Sequence, residues 1–333
     1  MGELIMSALI AAILSKGAVT PQDVVMLRRE VYPDGIVSRE EADVLFEINA
    51  TCERQCDEWV ALFVEALTDY IVHQEKPAGY ISPENADWLV TTISRDRMVA
   101  SPAELELLVK VLEAAKFSPE GLSAFALRQV MHAVVDGTGP LARGGTLEAG
   151  RVGKAEVDLL RRVLYAYGGE GNIAITRAEA EILFTINEKT SGAQNDPSWN
   201  ELFVKAVANF VMCLSGYEAP TRTQALRQEN FLDHPDVDIG GFFSRMVSGG
   251  ARGILEAYRT TANIDADWEA RNQSNEAFAR RAERIDGDEA KWLAERIGHD
   301  RDLHENEIAL LRFIKEASPE IHPDLRPLLD KVA

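Results

Sequence analysis

"SREEADVLFEIN" (residues 38–49) is the stretch that decides the fold. A Ser followed three positions later by a Glu is the capping-box pattern, in which the Ser38 hydroxyl accepts from the Glu41 amide and the Glu41 carboxylate accepts from the Ser38 amide. Apolar residues then recur at spacings of three and four, as they do on one face of an α-helix. The stretch therefore predicts an amphipathic helix that begins after Ser38.

The same helix-start signal occurs elsewhere in the chain. A hydroxyl residue precedes an acid by three positions at Thr20, Ser101 and Thr176. At Thr20 and Ser101 a Pro also occupies the first helical position, where its missing N–H costs nothing. No alternating strand pattern bounded by turn residues is present in the sequence, and β-branched residues are not clustered. These features predict an all-α fold with helices only.

The chain contains an internal repeat, which is a stronger signal than any single motif. Residues 41–49, "EADVLFEIN", match residues 179–187, "EAEILFTIN". Two further blocks match in the same order, 19–32 with 152–165 and 59–66 with 199–206. Three ordered blocks separated by small length changes predict a duplication, with about six helices in each copy.

The second copy is predicted to carry a helical insertion. Residues 59–66 match with a shift of 140 (199 − 59), whereas residues 86–97 match residues 290–301 with a shift of 204 (290 − 86). The second copy is therefore longer by 64 residues (204 − 140), at about 214–286. We call residues 1–122 the first repeat and residues 123–333 the second repeat.

Composition and charge restrict the classes of partner. The chain is 46% hydrophobic and 27% charged, which is typical of a soluble globular protein, and its formal net charge is −19. Such a charge repels phosphate backbones and anionic lipids, so we expect no nucleic-acid binding and no membrane insertion. The short segment before the N-terminal apolar run carries Glu3 and no Lys or Arg, so the stretch predicts a packing helix and a cytoplasmic protein.

The turn before Ser38 is a candidate site for a divalent cation. A calcium-binding EF-hand loop supplies regularly spaced oxygen ligands and ends in a Glu. Aligning Glu41 with that Glu makes Asp34 and Ser38 further ligands, but Tyr32 falls where another oxygen is needed. Two interpretations remain: a weak Ca²⁺ or Mg²⁺ site at Asp34, Ser38 and Glu41, or a helix cap with no cofactor.

The phrase "DGIVSREEADVLF" (34–46), in a chain predicted to be all-helical, resembles the tellurite-resistance TerB-like family. The resemblance implies a bundle in which such turns join packed helices, with an acidic cluster that has been associated with divalent metal. In the first repeat the matching residues are Asp34, Gly35, Ser38 and Glu41. In the second repeat Thr176 and Glu179 match at the cap, while Asn172 and Ile173 replace the Asp and the Gly.

The insertion is the candidate partner surface. Its apolar stripe comprises Phe243, Met246, Val247, Ile254 and Tyr258, and Arg245, Arg252 and Arg259 lie beside it. Apolar anchors next to positive charge suit an acidic protein partner or a second copy of this acidic chain. The alternative interpretation is that this face packs on the second repeat itself.

Three hypotheses for the function follow from the sequence. No phosphate-binding loop, nucleophile elbow or zinc-protease motif is present in the sequence. The leading hypothesis is a non-enzymatic interaction or scaffold protein, with a protein partner or a homo-oligomer formed through the insertion. The alternatives are a divalent-metal-binding stress-response or regulatory protein, and an enzyme with a cleft between the repeats.

Overall fold

The computed structural model describes residues 2–30, 36–74, 76–95, 97–141, 148–166, 175–212, 287–297, 303–317 and 322–332. The described residues form thirteen α-helices, and the all-α prediction is confirmed. The first six are α1 Gly2–Lys16, α2 Pro21–Glu30, α3 Arg39–Thr51, α4 Asp57–Thr68, α5 Pro83–Ile93 and α6 Pro102–Ala114. The other seven are α7 Glu120–Met131, α8 Lys154–Tyr165, α9 Arg177–Thr190, α10 Pro197–Val211, α11 Gly287–Arg296, α12 Glu305–Ala317 and α13 Arg326–Leu329.

Several α-helices continue in other helical forms. Helix α4 runs into a π-helix, Asp69–Gln74, and α7 runs into a π-helix, His132–Asp136. Two 3₁₀ turns, Pro323–Leu325 and Asp330–Val332, flank α13.

The prediction of helices alone is wrong in one detail, because four two-residue strands form two small ladders. Strand β1 (Ala18–Val19) pairs in parallel with β2 (Arg54–Gln55), and β3 (Ser94–Arg95) pairs antiparallel with β4 (Met98–Val99). Ala18 and Val19 are buried in the short link between α1 and α2. Buried backbone amides and carbonyls need partners, so a buried link pairs with a neighbouring strand even without an alternating sequence pattern.

The predicted capping boxes are present at the starts of α3 and α9. At α3 the Glu41 amide donates to Ser38 Oγ at 3.2 Å and the Ser38 amide donates to Glu41 Oε2 at 2.8 Å. At α9 the corresponding distances between Thr176 and Glu179 are 3.3 Å and 2.7 Å. Each box satisfies two backbone donors that the first turn of a helix leaves open.

Each predicted repeat contains an aromatic cluster of similar geometry. In the first repeat the Phe46 ring lies edge-on to Phe63 and Trp88, with centroid distances of 5.3 and 5.6 Å. In the second repeat Phe184 lies edge-on to Phe203 and Trp292 at 5.1 and 5.5 Å. Such edge-to-face pairs stabilise a core beyond the area that they bury. The duplication itself stays a prediction from the sequence.

Helix α7 packs at the junction between the predicted repeats. It contacts α6 of the first repeat and α8 and α9 of the second. Its residues Leu122, Leu127 and Val130 are buried, and the buried apolar side chains of both repeats belong to one continuous cluster. Among the described helices, none is both long enough and apolar enough to cross a bilayer.

Candidate functional site

Only part of the predicted cation turn falls within the described residues. Asp34 lies outside the described residues, whereas Ser38 and Glu41 hold each other in the capping box. One Glu41 carboxylate oxygen and the Ser38 hydroxyl are thus already used by backbone amides. No group of three or more His, Cys, Asp or Glu side chains within the described part of the chain is arranged to hold a metal. The Ca²⁺ or Mg²⁺ site at Asp34, Ser38 and Glu41 stays a prediction.

The predicted partner stripe lies within 213–286, outside the described residues. Asn172 and Ile173 of the second repeat also lie outside the described residues. The stripe at Phe243, Met246, Val247, Ile254 and Tyr258 therefore also stays a prediction.

A groove of about 710 Å³ lies between α4 and α6, and we call it the α4–α6 groove. Helix α4 turns Trp59, Leu62 and Phe63 into the core. Its adjoining face presents Val60 and Val64, which are half-buried, at the spacing of one helical turn. Since α4 is apolar over more than its core-facing stripe, the excess apolar surface becomes the floor of the groove.

The rim of the α4–α6 groove is mainly acidic. Its carboxylates belong to Asp57, Glu65, Asp69 and Glu106, and its other titratable groups are Lys110 and His73. Asp69 Oδ2 accepts from Gln74 Nε2 at 2.7 Å, so the first turn of the π-helix is held in place. Thr68 is buried at its hydroxyl, which has no hydrogen-bond partner among the described residues. The groove thus combines an apolar floor, an acidic rim and an irregular helical end, a feature often found at functional sites.

Arg162 of α8 fixes one side of the rim. Its guanidinium makes two hydrogen bonds to Glu106, at 2.8 and 2.9 Å, and a third to Glu113 at 2.7 Å. Hydrogen bonds to Glu106 and Glu113 raise the pKa of Arg162. Burial alone would raise the pKa of Glu113, but hydrogen bonds from Arg162 and Lys110 outweigh burial and lower it. The second repeat thereby orients an acidic residue of the first-repeat groove.

Sequence reasoning missed this groove. The apolar spacing of "EWVALFVEALTDYIV" (58–72) predicts a helix, but it does not separate residues that face the core from residues that face a groove. The signal that could have revealed it is the width of the apolar stripe on α4, which exceeds what one packing face needs.

The comparisons with known proteins add no family to this geometry. No family model matches the chain, and neither the curated proteins nor the solved structures include a significant match.

Proposed function

We propose that the chain is a non-enzymatic interaction protein whose α4–α6 groove binds an apolar segment flanked by basic residues. The observation that carries the proposal is the pairing of an apolar floor, Val60 and Val64, with carboxylates at Asp57 and Asp69. A helix laid in such a groove buries apolar anchors, while its basic residues meet the acidic rim.

The proposed occupant is the insertion of a second copy of the chain. By sequence, residues 243–259 combine apolar residues with Arg245, Arg252 and Arg259, which complements the groove in polarity and in charge. This assignment makes the protein a homotypic scaffold, in which the first repeat of one copy receives the insertion of another. It does not require a chemical reaction or a cofactor.

A peptide of residues 240–260 tests the proposal by titration into the full-length protein. We expect binding that weakens as salt rises, because charges at the rim contribute to it. Val64→Asp should weaken binding by about tenfold or more, equivalent to about 1.4 kcal/mol. The matched control is Val25→Asp, since Val25 is an exposed valine on α2 that does not line the groove.

Three results distinguish binding in the α4–α6 groove from a general charge effect, a different occupant and unfolding of the variants. Equal loss of binding in Val64→Asp and Val25→Asp would point to a general charge effect rather than to the groove. Failure of the peptide to bind would reject residues 243–259 as the occupant. Circular dichroism tests whether both variants are folded. If they are, a loss of binding confined to Val64→Asp is assigned to the groove.

A further inference from the structure

A second, polar cavity of about 400 Å³ lies in the second repeat, where the end of α9 meets the starts of α10 and α12. A chain of amides lines it. Asn200 Nδ2 donates to Asn306 Oδ1 at 2.6 Å, and Asn306 Nδ2 donates to Asn187 Oδ1 at 2.7 Å. The Asn187 carbonyl oxygen thus accepts from Asn306, and Trp199 makes no hydrogen bond to it.

At the aligned position in the first repeat, the side-chain N–H donors are paired with other residues of that repeat. Trp59 Nε1 donates to Asn49 Oδ1 at 3.3 Å, and Gln55 Nε2 donates to the same oxygen at 3.2 Å. Asn49 Nδ2 in turn donates to Ser101 Oγ and to Glu104 Oε1, both at 3.3 Å. Every donor of Asn49 and Trp59 is therefore engaged, as buried polar groups require.

Within the described part of the second repeat, two buried N–H donors have no partner. Asn187 and Trp199, aligned with Asn49 and Trp59, are 2% and 0% exposed and both line the cavity. Asn187 Nδ2 and Trp199 Nε1 have no hydrogen-bond partner among the described residues. The sequence difference that accompanies this is Asn306, which aligns with Ala103 and whose hydrogen bond orients the Asn187 carbonyl toward α12.

The chemistry of the lining selects the class of ligand. Two open N–H donors call for an acceptor such as a carbonyl oxygen, which has two lone pairs. The described lining residues include the carboxylates of Asp196 and Glu305 and the imidazole of His304, and no Lys or Arg. Hydrogen bonds from the Ser198 hydroxyl and amide lower the pKa of Asp196, so this carboxylate stays charged at neutral pH. Phosphates and carboxylic acids are thereby disfavoured.

We propose that this cavity is a binding site for a small uncharged amide, whose carbonyl oxygen accepts from Trp199 Nε1 and Asn187 Nδ2. An amide also carries N–H groups that can donate to the carboxylates at the mouth. The site is separate from the α4–α6 groove, and the proposal does not depend on homotypic binding.

Titration of the ¹⁵N-labelled full-length protein with N-methylacetamide tests the site. The indole N–H signal of Trp199, assigned by its absence in Trp199→Phe, should shift saturably as the probe binds. The Trp59 indole is the internal control, because it already donates to Asn49 and should not move. Inorganic phosphate and methylammonium should each leave the Trp199 signal in place, since the first is an anion and the second lacks an acceptor.

Asn306→Ala restores the residue found at the aligned first-repeat position and sharpens the test. It removes the donor that orients the Asn187 carbonyl, which can then turn to accept from the indole as Asn49 does from Trp59. The Trp199 signal should therefore shift before any probe is added and should then lose its response. If Asn306→Ala does not fold, Asn200→Val serves as the second variant. It removes the donor to Asn306 and should weaken the response of the Trp199 signal to N-methylacetamide. An unresponsive Trp199 in the wild-type protein would overturn the proposal. Equal shifts of Trp59 and Trp199, or a Trp199 indole already bonded to internal water and insensitive to the probe, would do so too.

Discussion

The two predicted repeats use similar aromatic cores but different polar surroundings. Phe46 and Phe184 each hold two rings edge-on, at distances that agree within a few tenths of an ångström. One aligned position shows the difference. Val60 lines the apolar groove of the first repeat, whereas Asn200 belongs to the amide chain of the second. The aromatic core is thus kept in both repeats, while an aligned half-buried position is apolar in the first repeat and polar in the second.

The largest expected effect concerns the shared cores. Phe46→Ala and Phe184→Ala should each lower the free energy of unfolding by about 3–5 kcal/mol, because each removes a buried ring and leaves a cavity. Urea denaturation followed by circular dichroism measures both. A large cost at one position and a small cost at the other would break the comparison between the repeats.

The next effect isolates the polar difference between the repeats. Trp59→Phe removes a donor that is bonded to Asn49, whereas Trp199→Phe removes a donor with no partner among the described residues. Both remove similar apolar volume, so Trp59→Phe should destabilise by about 1 kcal/mol more. Equal costs in the same denaturation assay would mean that the Trp199 indole is satisfied by water or ligand.

A smaller effect concerns the ion pairs that join the repeats. The lowered pKa of Glu113 means that its contribution to stability is present above its unfolded-state pKa and is lost as pH falls through its lower folded-state pKa. Arg162→Gln should cost about 1 kcal/mol at neutral pH, since the group is partly exposed, and the cost should shrink in acid. Thermal unfolding at neutral and acid pH measures this cost. The control is Lys205→Gln, which removes an exposed ion pair with Glu201 within α10. A cost that persists unchanged at acid pH would assign the effect to packing.

An effect of similar size is expected at the predicted cation turn. If Ser38 and Glu41 serve only as a cap, Glu41→Ala should cost about 1 kcal/mol and millimolar Ca²⁺ or Mg²⁺ should leave Tm unchanged. A bound cation at about 100 Kd would instead add about 2.7 kcal/mol to stability, which a thermal shift would reveal. Loss of such a shift in Asp34→Asn would establish the metal site.

Local signals in the sequence predicted the helices well. A Ser or Thr three residues before a Glu places a cap, and apolar spacing of three and four places the buried face, because both effects act within a few residues. Capping at Ser38 and Thr176 accordingly agrees with the predictions. The short pairing of Ala18–Val19 with Arg54–Gln55 was not predictable in this way, since it joins residues far apart in sequence.

By itself, the sequence determined an all-α chain and the starts of several of its helices. Only the tertiary structure decided that Val60 and Val64 line a groove and that Arg162 of one repeat orients Glu106 of the other. It also decided that Trp199, unlike Trp59, has no hydrogen-bond partner among the described residues. The physical reason is the distance along the chain over which each effect acts. Capping and amphipathicity are set by neighbours within one or two turns, whereas a cavity or an unpaired donor depends on which side chains distant segments bring together.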